Sequence, residues 1–413
     1  MFPKKVLAGI ALLTACPFAH AQDWTEQAVL SLFEQQGPIK REARATAAAA
    51  VEALRGRTLW PNPIAAYSRE TVGFTEFFQG EQQLPISGRL NLARKAMDPA
   101  RESAEAEGAA RVWEIRSGLR AAFYRSLAAQ QQENLIQSSL SEIQDVIELL
   151  RKREQEGEGS RYDRIRVERE TADLRADIAL ARARARSERM FLLSYLPPAT
   201  MVTRVLGDLA PRLTSSTIPE SAAMVVQQAL GSRADVRAES ARLLQLGLEQ
   251  QAADRMKIPE PMITAGIKRT QQFANQNATG AVIGISIPLP IFNKGQTEVA
   301  RFSAEQDRVK ARRDLLTQQI TAVVAGAYEV YSARLNALEA FERETGDADA
   351  ELLRVTRIGY QDGELGILPL LDAYRLKRQT ALRRLELQLA VKESEVELSR
   401  AAGFEVSLFE VKP

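Results

Sequence analysis

The 413-residue chain is close to charge balance, with 55 Lys and Arg against 53 Asp and Glu, which argues against nucleic acid as an obligatory partner. Its one His and one Cys, His20 and Cys16, both lie in the first 21 residues. If those residues are an export signal that is removed, catalysis by His or Cys and most metal sites are excluded. We therefore expect no enzyme, no cofactor and no high-affinity metal site.

Residues 1–21 have the pattern of a signal peptide. Two lysines precede an apolar run of about ten residues, Val6 to Ala15, and Ala19-His20-Ala21 has the small residues of a cleavage site. We expect cleavage after Ala21. The alternative is a lipoprotein signal, Leu13-Thr14-Ala15-Cys16, in which Cys16 becomes the lipidated N-terminus. Either form predicts an exported protein, and no later apolar run is long enough for a transmembrane helix.

The first half of the remaining chain predicts a helix, a β-hairpin and a long helical hairpin. The first helix spans Asp23 to about Arg57, with an interruption near Gly37-Pro38. The strands cover Ile64–Phe74 and Gln83–Leu90, and Phe77–Glu81 forms the loop tip between them.

A very long helix follows, from about Asn91 to Glu154. Apolar residues step along it by four, three, four and three, which predicts a coiled-coil seam of Ile136, Leu140, Ile143, Ile147 and Leu150. About 60 residues at 1.5 Å each make roughly 90 Å, longer than an ordinary globular core is thick. The glycines around Gly157 predict a tight turn, after which Arg161 to about Leu196 runs back.

The second half repeats this plan, which indicates a tandem duplication. We predict a helix over 217–258, strands over 262–270 and 281–291, a helix of about 60 residues from 298, a break at 359–364 and a returning helix over 368–402. The matching residues Pro61 and Pro259 are 198 positions apart, and Gly157 and Gly363 are 206 apart.

The predicted fold class is mainly α with a small β part. Its domains are a signal at 1–21, a first repeat at 22–216 (β-hairpin 63–90, helical tip near 155–163), a second repeat at 217–403 (β-hairpin 261–292, tip near 359–372) and a tail at 404–413. Four strands are too few to close a barrel, and open strand edges are costly in lipid. Three chains would supply a 12-stranded membrane β-barrel, continued by a periplasmic α-helical barrel.

The repeated plan, the segment Pro288–Gln296 after a strand, and Tyr360 followed by Leu371-Asp372-Ala373 resemble the TolC-type outer membrane efflux family. The sequence Pro-Leu-Pro-Ile-Phe-Asn from Pro288 is most similar to the heavy-metal (cobalt-zinc-cadmium) branch of that family. The resemblance implies a homotrimeric, passive channel in outer membrane lipid, with a long periplasmic extension. Its partners would be a periplasmic adaptor and an inner-membrane pump of the resistance-nodulation-division class.

Two alternatives to a heavy-metal efflux channel stay open. A conduit of the same fold could pass drugs or secreted polypeptides, and this sequence does not separate the cargoes. A periplasmic coiled-coil adaptor or scaffold would be soluble, but it has no need of duplicated strand pairs.

The resemblance also implies a gate at the helical tips. Asp163 matches a carboxylate that contacts a tyrosine of the second hairpin, and Tyr360 stands at that tyrosine's position. Asp372 matches an inward-facing acidic ring, whose second acid is replaced here by Pro369. Alternatively, Asp163 and Tyr360 are ordinary tip residues facing water, and Asp372 is a helix N-terminal acid favoured by the dipole.

Further candidates fall at the tips and on the strands. Gly157 and Gly363 permit tight turns, and the apolar tip residues either pack inside the hairpin or form the surface that an adaptor grips: Leu365, Ile367 and Leu368. An alternating strand predicts a lipid-facing set of Ile283, Ile285, Ile287 and Leu289. The alternative is packing inside a small soluble sheet.

Overall fold

The computed structural model describes residues 22–71, 74–198, 200, 202–214, 218–219, 221–272, 276–346 and 348–406. The predicted signal peptide, its cleavage site, Cys16 and most of the predicted tail therefore lie outside the described residues.

Long helices dominate the described chain, which confirms the mainly helical fold class. The helices are α1 (Glu26–Gln36), α2 (Pro38–Arg55), α3 (Arg89–Gln155), α4 (Arg161–Leu193), α5 (Ala222–Ser232), α6 (Ala234–Asp254), α7 (Gln296–Thr345), α8 (Ala348–Gln361) and α9 (Ile367–Ala402). The strands are β1 (Gln22–Thr25), β2 (Ile64–Glu70), β3 (Thr75–Gln83), β4 (Val202–Leu206), β5 (Met262–Gln272) and β6 (Gln276–Ser286). Within the described ranges, no helix combines the length and apolarity needed to cross a membrane.

The chain divides into two compact units. The tip unit comprises the described residues of 1–36, 122–209 and 349–385, and the sheet unit comprises those of 37–121, 210–348 and 386–413. Both α3 and α9 contribute residues to each unit.

The tip unit is built on the predicted seam of α3. All five seam residues, from Ile136 to Leu150, are buried. They form one apolar cluster with α4, α8 and α9, to which Val167, Leu174, Tyr360, Leu371 and Tyr374 belong. The same unit contains a parallel pair of β1 and β4, which the sequence analysis did not predict.

The sheet unit contains a four-stranded antiparallel sheet in the order β2-β3-β5-β6. The predicted loop tip at Phe77–Glu81 was wrong, because these residues belong to β3. Phe78 pairs with Tyr67 on β2 and with Ile267 on β5, and the two aromatic rings lie 4.9 Å apart. Such cross-strand aromatic packing favours a strand over a turn.

Strand ends also differ from the prediction. The expected return strand at 83–90 is absent from the described chain, because Pro85 cannot donate to a ladder and Gly88, at φ +80°, turns directly into α3. On the other side, β6 ends at Ser286, so Ile287 and Leu289 lie beyond the strand. Pro288 and Pro290 lack the N–H groups that would extend it.

The second long helix is broken, whereas the sequence analysis predicts one continuous helix. α7 ends at Thr345 and α8 begins at Ala348. Gly346 lies between them with φ +42° and ψ −129°, a conformation open to glycine. The helical hairpin of the second repeat therefore has a joint that the first repeat lacks.

Candidate functional site

The two helical turns of the tip unit have matching geometry. In the first, the N–H of Glu158 donates to the carbonyl of Arg153 at 2.9 Å, and Gly157 has φ +80°. In the second, the N–H of Glu364 donates to the carbonyl of Gly359 at 2.9 Å, and Gly363 has φ +76°. Left-handed glycines after a helix C-terminus satisfy its last carbonyls in this way. Both glycines thus have the geometry expected of tight turns.

Arg153 links the two turns. Its guanidinium donates to the carbonyl oxygens of Tyr360 (3.3 Å) and Gln361 (2.8 Å), at the C-terminal end of α8. It also lies 5.2 Å from the centroid of the Tyr360 ring. A cation at a helix C-terminus is favoured by the helix dipole as well as by the hydrogen bonds. We call this set of contacts the Arg153 clasp.

A second polar link joins the hairpins further from the turns. Arg375 on α9 donates two hydrogen bonds to Glu170 on α4, at 3.1 and 2.5 Å. These bonds lower the pKa of the Glu170 carboxyl, against the opposite effect of burial. Lys377 on α9 likewise donates to Glu142 on α3 at 2.7 Å. Breaking the packing of α9 on α3 and α4 therefore separates at least two ion pairs.

The predicted gate residues are not all brought together. Asp163 lies in the first turn of α4 and is half-buried, whereas Tyr360 is buried in the apolar cluster. Among the described residues no hydrogen bond joins the two, so their contact stays a prediction. Asp372 is exposed on α9, one turn before Arg375.

The apolar tip residues separate by burial. Ile367 is buried in the apolar cluster, and Leu365 is half-buried. A Cβ atom at Gly359 would lie 2.8 Å from the Cδ1 atom of Leu365, so the glycine makes room for that side chain. Leu368 is exposed.

Sequence reasoning missed the residues that connect the two hairpins. Arg153 and Glu170 each contact a partner about 205 positions away, and no local pattern marks such a pair. Gly159 was also missed: a Cβ atom there would lie 2.6 Å from the backbone nitrogen of Glu154. The glycine-rich turn was the only local signal for it.

The sheet has two chemically different faces. Directly paired residues of antiparallel strands share a face, so the register places Ile263, Ile267, Ile283, Ile285, Tyr67 and Phe78 together. Ile283 is 83% and Ile285 70% exposed. The opposite face is more polar and carries Ser68, Gln79, Thr264, Lys268, Thr270 and Ser286. It also carries four larger apolar residues, Ile64, Phe77, Met262 and Val282.

The apolar face is bounded by a polar row. Arg269 pairs with both Glu76 and Thr279, and Glu76 pairs with Arg69, all on the face of Ile283.

Within the described residues, no group of three or more His, Cys, Asp or Glu side chains is arranged to hold a metal ion. The expectation that the chain has no high-affinity metal site stays a prediction.

Comparisons with known proteins agree on one relationship. The outer membrane efflux protein family matches residues 225–404. The chain is a relative of the outer membrane efflux proteins. It is similar to the cobalt-zinc-cadmium resistance protein CzcC of Cupriavidus metallidurans, with 25% identity over 406 residues, 91% of this chain and 94% of CzcC. It is also similar to the pyoverdine export outer membrane protein OpmQ of Pseudomonas putida, with 26% identity over 304 residues, 68% of this chain and 60% of OpmQ.

Solved structures of two outer membrane proteins share the fold. VceC from Vibrio cholerae superposes with a TM-score of 0.66 at 17% identity, over 92% of this chain and 96% of VceC. The open state of the Neisseria gonorrhoeae MtrE channel gives a TM-score of 0.65 at 18% identity, over 92% and 89%. The comparisons together confirm the predicted family, its outer membrane location and its non-enzymatic class.

Proposed function

We propose that this outer membrane efflux protein is one subunit of a trimeric, passive export duct. Three copies would combine their sheets into a 12-stranded barrel in outer membrane lipid, and their helices would form a tube in the periplasm. Cargo would be delivered by an inner-membrane pump of the resistance-nodulation-division class through a periplasmic adaptor. The duct itself supplies no energy.

The exposed apolar face of the sheet is the observation that carries this proposal. A soluble protein seldom exposes such a continuous set of large apolar residues. From Arg269 to Ile263 the strand rises about 20 Å, close to the apolar band of about 25 Å on outer membrane barrels. The more polar opposite face suits a water-filled lumen.

The two outer strands explain why three copies are needed. In the described chain, the outer edges of β2 and β6 pair with no other strand. Unpaired backbone groups in lipid cost several kcal/mol each, so these edges must meet the edges of neighbouring subunits. An adaptor or scaffold, the soluble alternative, would leave both the edges and the apolar face in water.

The tips would form the gate. In the closed state, the Arg153 clasp and the Arg375–Glu170 pair hold the α8–α9 hairpin against α3 and α4. Opening requires these contacts to break when an adaptor engages the tips. Asp163 and Tyr360 would form an additional contact, and three copies of Asp372 around the axis would favour cations. Of the three apolar residues predicted for adaptor docking, Leu368 is the exposed one and would meet the adaptor.

Heavy-metal cations are the proposed cargo, because CzcC is named for cobalt, zinc and cadmium resistance and matches most of the chain. A second candidate cargo is pyoverdine, because OpmQ is named for pyoverdine export. Drugs or secreted polypeptides would need no change to the duct, since cargo is selected by the pump.

A deletion strain tests the function. Loss of the gene, with the pump intact, should lower tolerance to cobalt, zinc or cadmium, and the wild-type gene should restore it. Unchanged metal tolerance together with loss of pyoverdine export would favour the second candidate cargo instead. Recovery of the protein in the soluble periplasm after a carbonate wash would overturn the duct itself.

A further inference from the structure

An exposed apolar segment of the sheet unit ends in basic residues. After β6, the chain presents Leu289, Ile291 and Phe292 to solvent, and Phe292 is 90% exposed. Lys294 follows two residues later and is also exposed. These exposed apolar residues follow the exposed isoleucines of β6 along the chain, so an apolar path along the chain leads from the sheet to a cation.

Two more cations, Arg255 and Lys257, lie near the end of this segment. Gly295, at φ +83°, approaches the end of α6 so closely that a Cβ atom would lie 2.6 Å from the carbonyl oxygen of Ala253 and 3.0 Å from the Cβ atom of Met256. Met256 is exposed and stands between Arg255 and Lys257. Lys294 and the Arg255–Lys257 turn are therefore neighbours.

A cavity of about 450 Å³ opens beside this turn. Arg255 and Lys257 line it together with the apolar side chains of Leu92 and Val299. Its other lining residues are Gln250, Gln251 and Asp254, the last of which is paired with Lys257. The cavity thus has polar and basic groups next to an apolar wall, which is the chemistry of a site for an amphipathic ligand.

The charges of this site do not cancel. Lys257 is paired with Asp254 at 2.7 Å, and Glu298 on α7 is paired with Arg301 at 2.8 Å. Among the described residues, Arg255 and Lys294 have no carboxylate partner. The site therefore offers two free cations to an anionic ligand, at the end of an exposed apolar path.

We propose that Arg255 and Lys294 bind the phosphate of an anionic phospholipid, whose acyl chains lie along Leu289, Ile291 and Phe292. The proposal rests on the proposed function, because it needs the apolar face of the sheet to be in lipid. Long basic side chains beside an aromatic residue are typical of the boundary between acyl chains and headgroups. Arg255 supplies a planar donor set that matches phosphate geometry.

Thermal unfolding of the purified full chain in detergent tests this site, with phosphatidylglycerol, phosphatidylcholine or inorganic phosphate added. Ligand that binds only the folded state raises its stability. We expect phosphatidylglycerol to raise the midpoint by a few degrees and the other two to leave it nearly unchanged. In the double variant Arg255→Gln/Lys294→Gln, the shift should fall by at least half.

Arg41→Gln/Arg44→Gln is the matched control. These two exposed arginines lie in the same unit on α2, about 20 Å from its end at Arg55, and the control should keep the full shift.

Equal shifts with both lipids, or a full shift in the double variant, would overturn the proposal. A shift reproduced by inorganic phosphate alone would also overturn it, in favour of a free-phosphate site. If the wild type inserts and conducts but shows no preference for phosphatidylglycerol, this inference fails while the duct stands.

Discussion

The guanidinium of Arg153 lies 5.2 Å from the centroid of the Tyr360 ring and donates a 3.3 Å hydrogen bond to its carbonyl oxygen. The contact joins the last turn of α3 to the end of α8, and so joins the two helical hairpins of one chain. Any movement that parts these hairpins must break it. In this structure Arg153, rather than Asp163, is therefore the residue that contacts Tyr360 across the hairpins.

Replacing Arg153 by Ala should favour the open tip. Loss of the charged hydrogen bonds and of the ring contact should cost the closed state about 1–3 kcal/mol, which changes its population relative to the open state by roughly fivefold to 150-fold. The measurement is conductance of the purified channel in a planar bilayer. Arg161→Ala, an exposed arginine of the same tip with no ion pair among the described residues, should leave conductance unchanged. Equal conductance in both variants would remove Arg153 from the gate.

Acid should weaken the tip through Glu170. Arg375 holds the pKa of this carboxyl below its ordinary value, so the ion pair contributes stability above the unfolded pKa of about 4.3 and loses it as the pH falls through the lower, folded pKa. Amide hydrogen exchange in α9, measured from neutral pH to pH 3 and compared with the intrinsic rate at each pH, should show protection that falls in acid. Glu170→Gln should exchange faster at neutral pH and show a smaller acid effect. A Glu158→Gln control at the exposed turn should behave as wild type.

The fold was predictable where it depends on the spacing and type of residues close together in the sequence. The heptad seam from Ile136 to Leu150 and the positive-φ positions Gly157 and Gly363 follow from spacing and residue type, and the structure has them as expected. Pairings across large sequence distance were not predictable. The β1–β4 pair joins residues about 180 positions apart, in strands of only four and five residues with no distinctive alternation.

The error at Phe77–Glu81 has a physical cause. Gln79-Gly80 has the local composition of a turn, but Gly80 stands between Ala65 and Ala265 in the sheet, where neighbouring strands decide the conformation. In the same way, the candidate site could be placed at the tips by resemblance, but its cross-hairpin contacts depend on the packing of α9 against α3 and α4.

Gly159 should be intolerant of a side chain. An alanine Cβ there would lie 2.6 Å from the nitrogen of Glu154, so the turn must open at a cost of about 1–3 kcal/mol. Thermal unfolding of Gly159→Ala should show the loss. Gly326→Ala in α7 is the control: a Cβ atom meets nothing within 4 Å, and higher helix propensity should stabilise the protein by about 0.5–1 kcal/mol. Equal stability of the two variants would contradict the close approach.

The buried ion pair of the sheet unit should show strong coupling. Lys392 and Glu395 are each 2% exposed and lie 3.1 Å apart, and Glu395 also accepts the backbone N–H of Arg212. Lys392→Met leaves a buried carboxylate uncompensated and should cost about 3–5 kcal/mol. Adding Glu395→Gln removes that charge but keeps an acceptor for Arg212, so the double variant should recover most of the loss in chemical denaturation. Additive losses would show that the two residues do not compensate each other.

The central claim is that the Ile283 face of the sheet lies against lipid. Ile283 and Val282 are neighbours on β6 whose side chains point to opposite faces, so they form an internal comparison. The direct measurement is quenching of a fluorescent probe, attached to a cysteine introduced at either position in membrane-reconstituted protein, by quenchers carried on lipid chains and by a water-soluble quencher. Strong lipid quenching at 283 with aqueous quenching at 282 is the predicted result. Aqueous quenching at both positions would contradict the account.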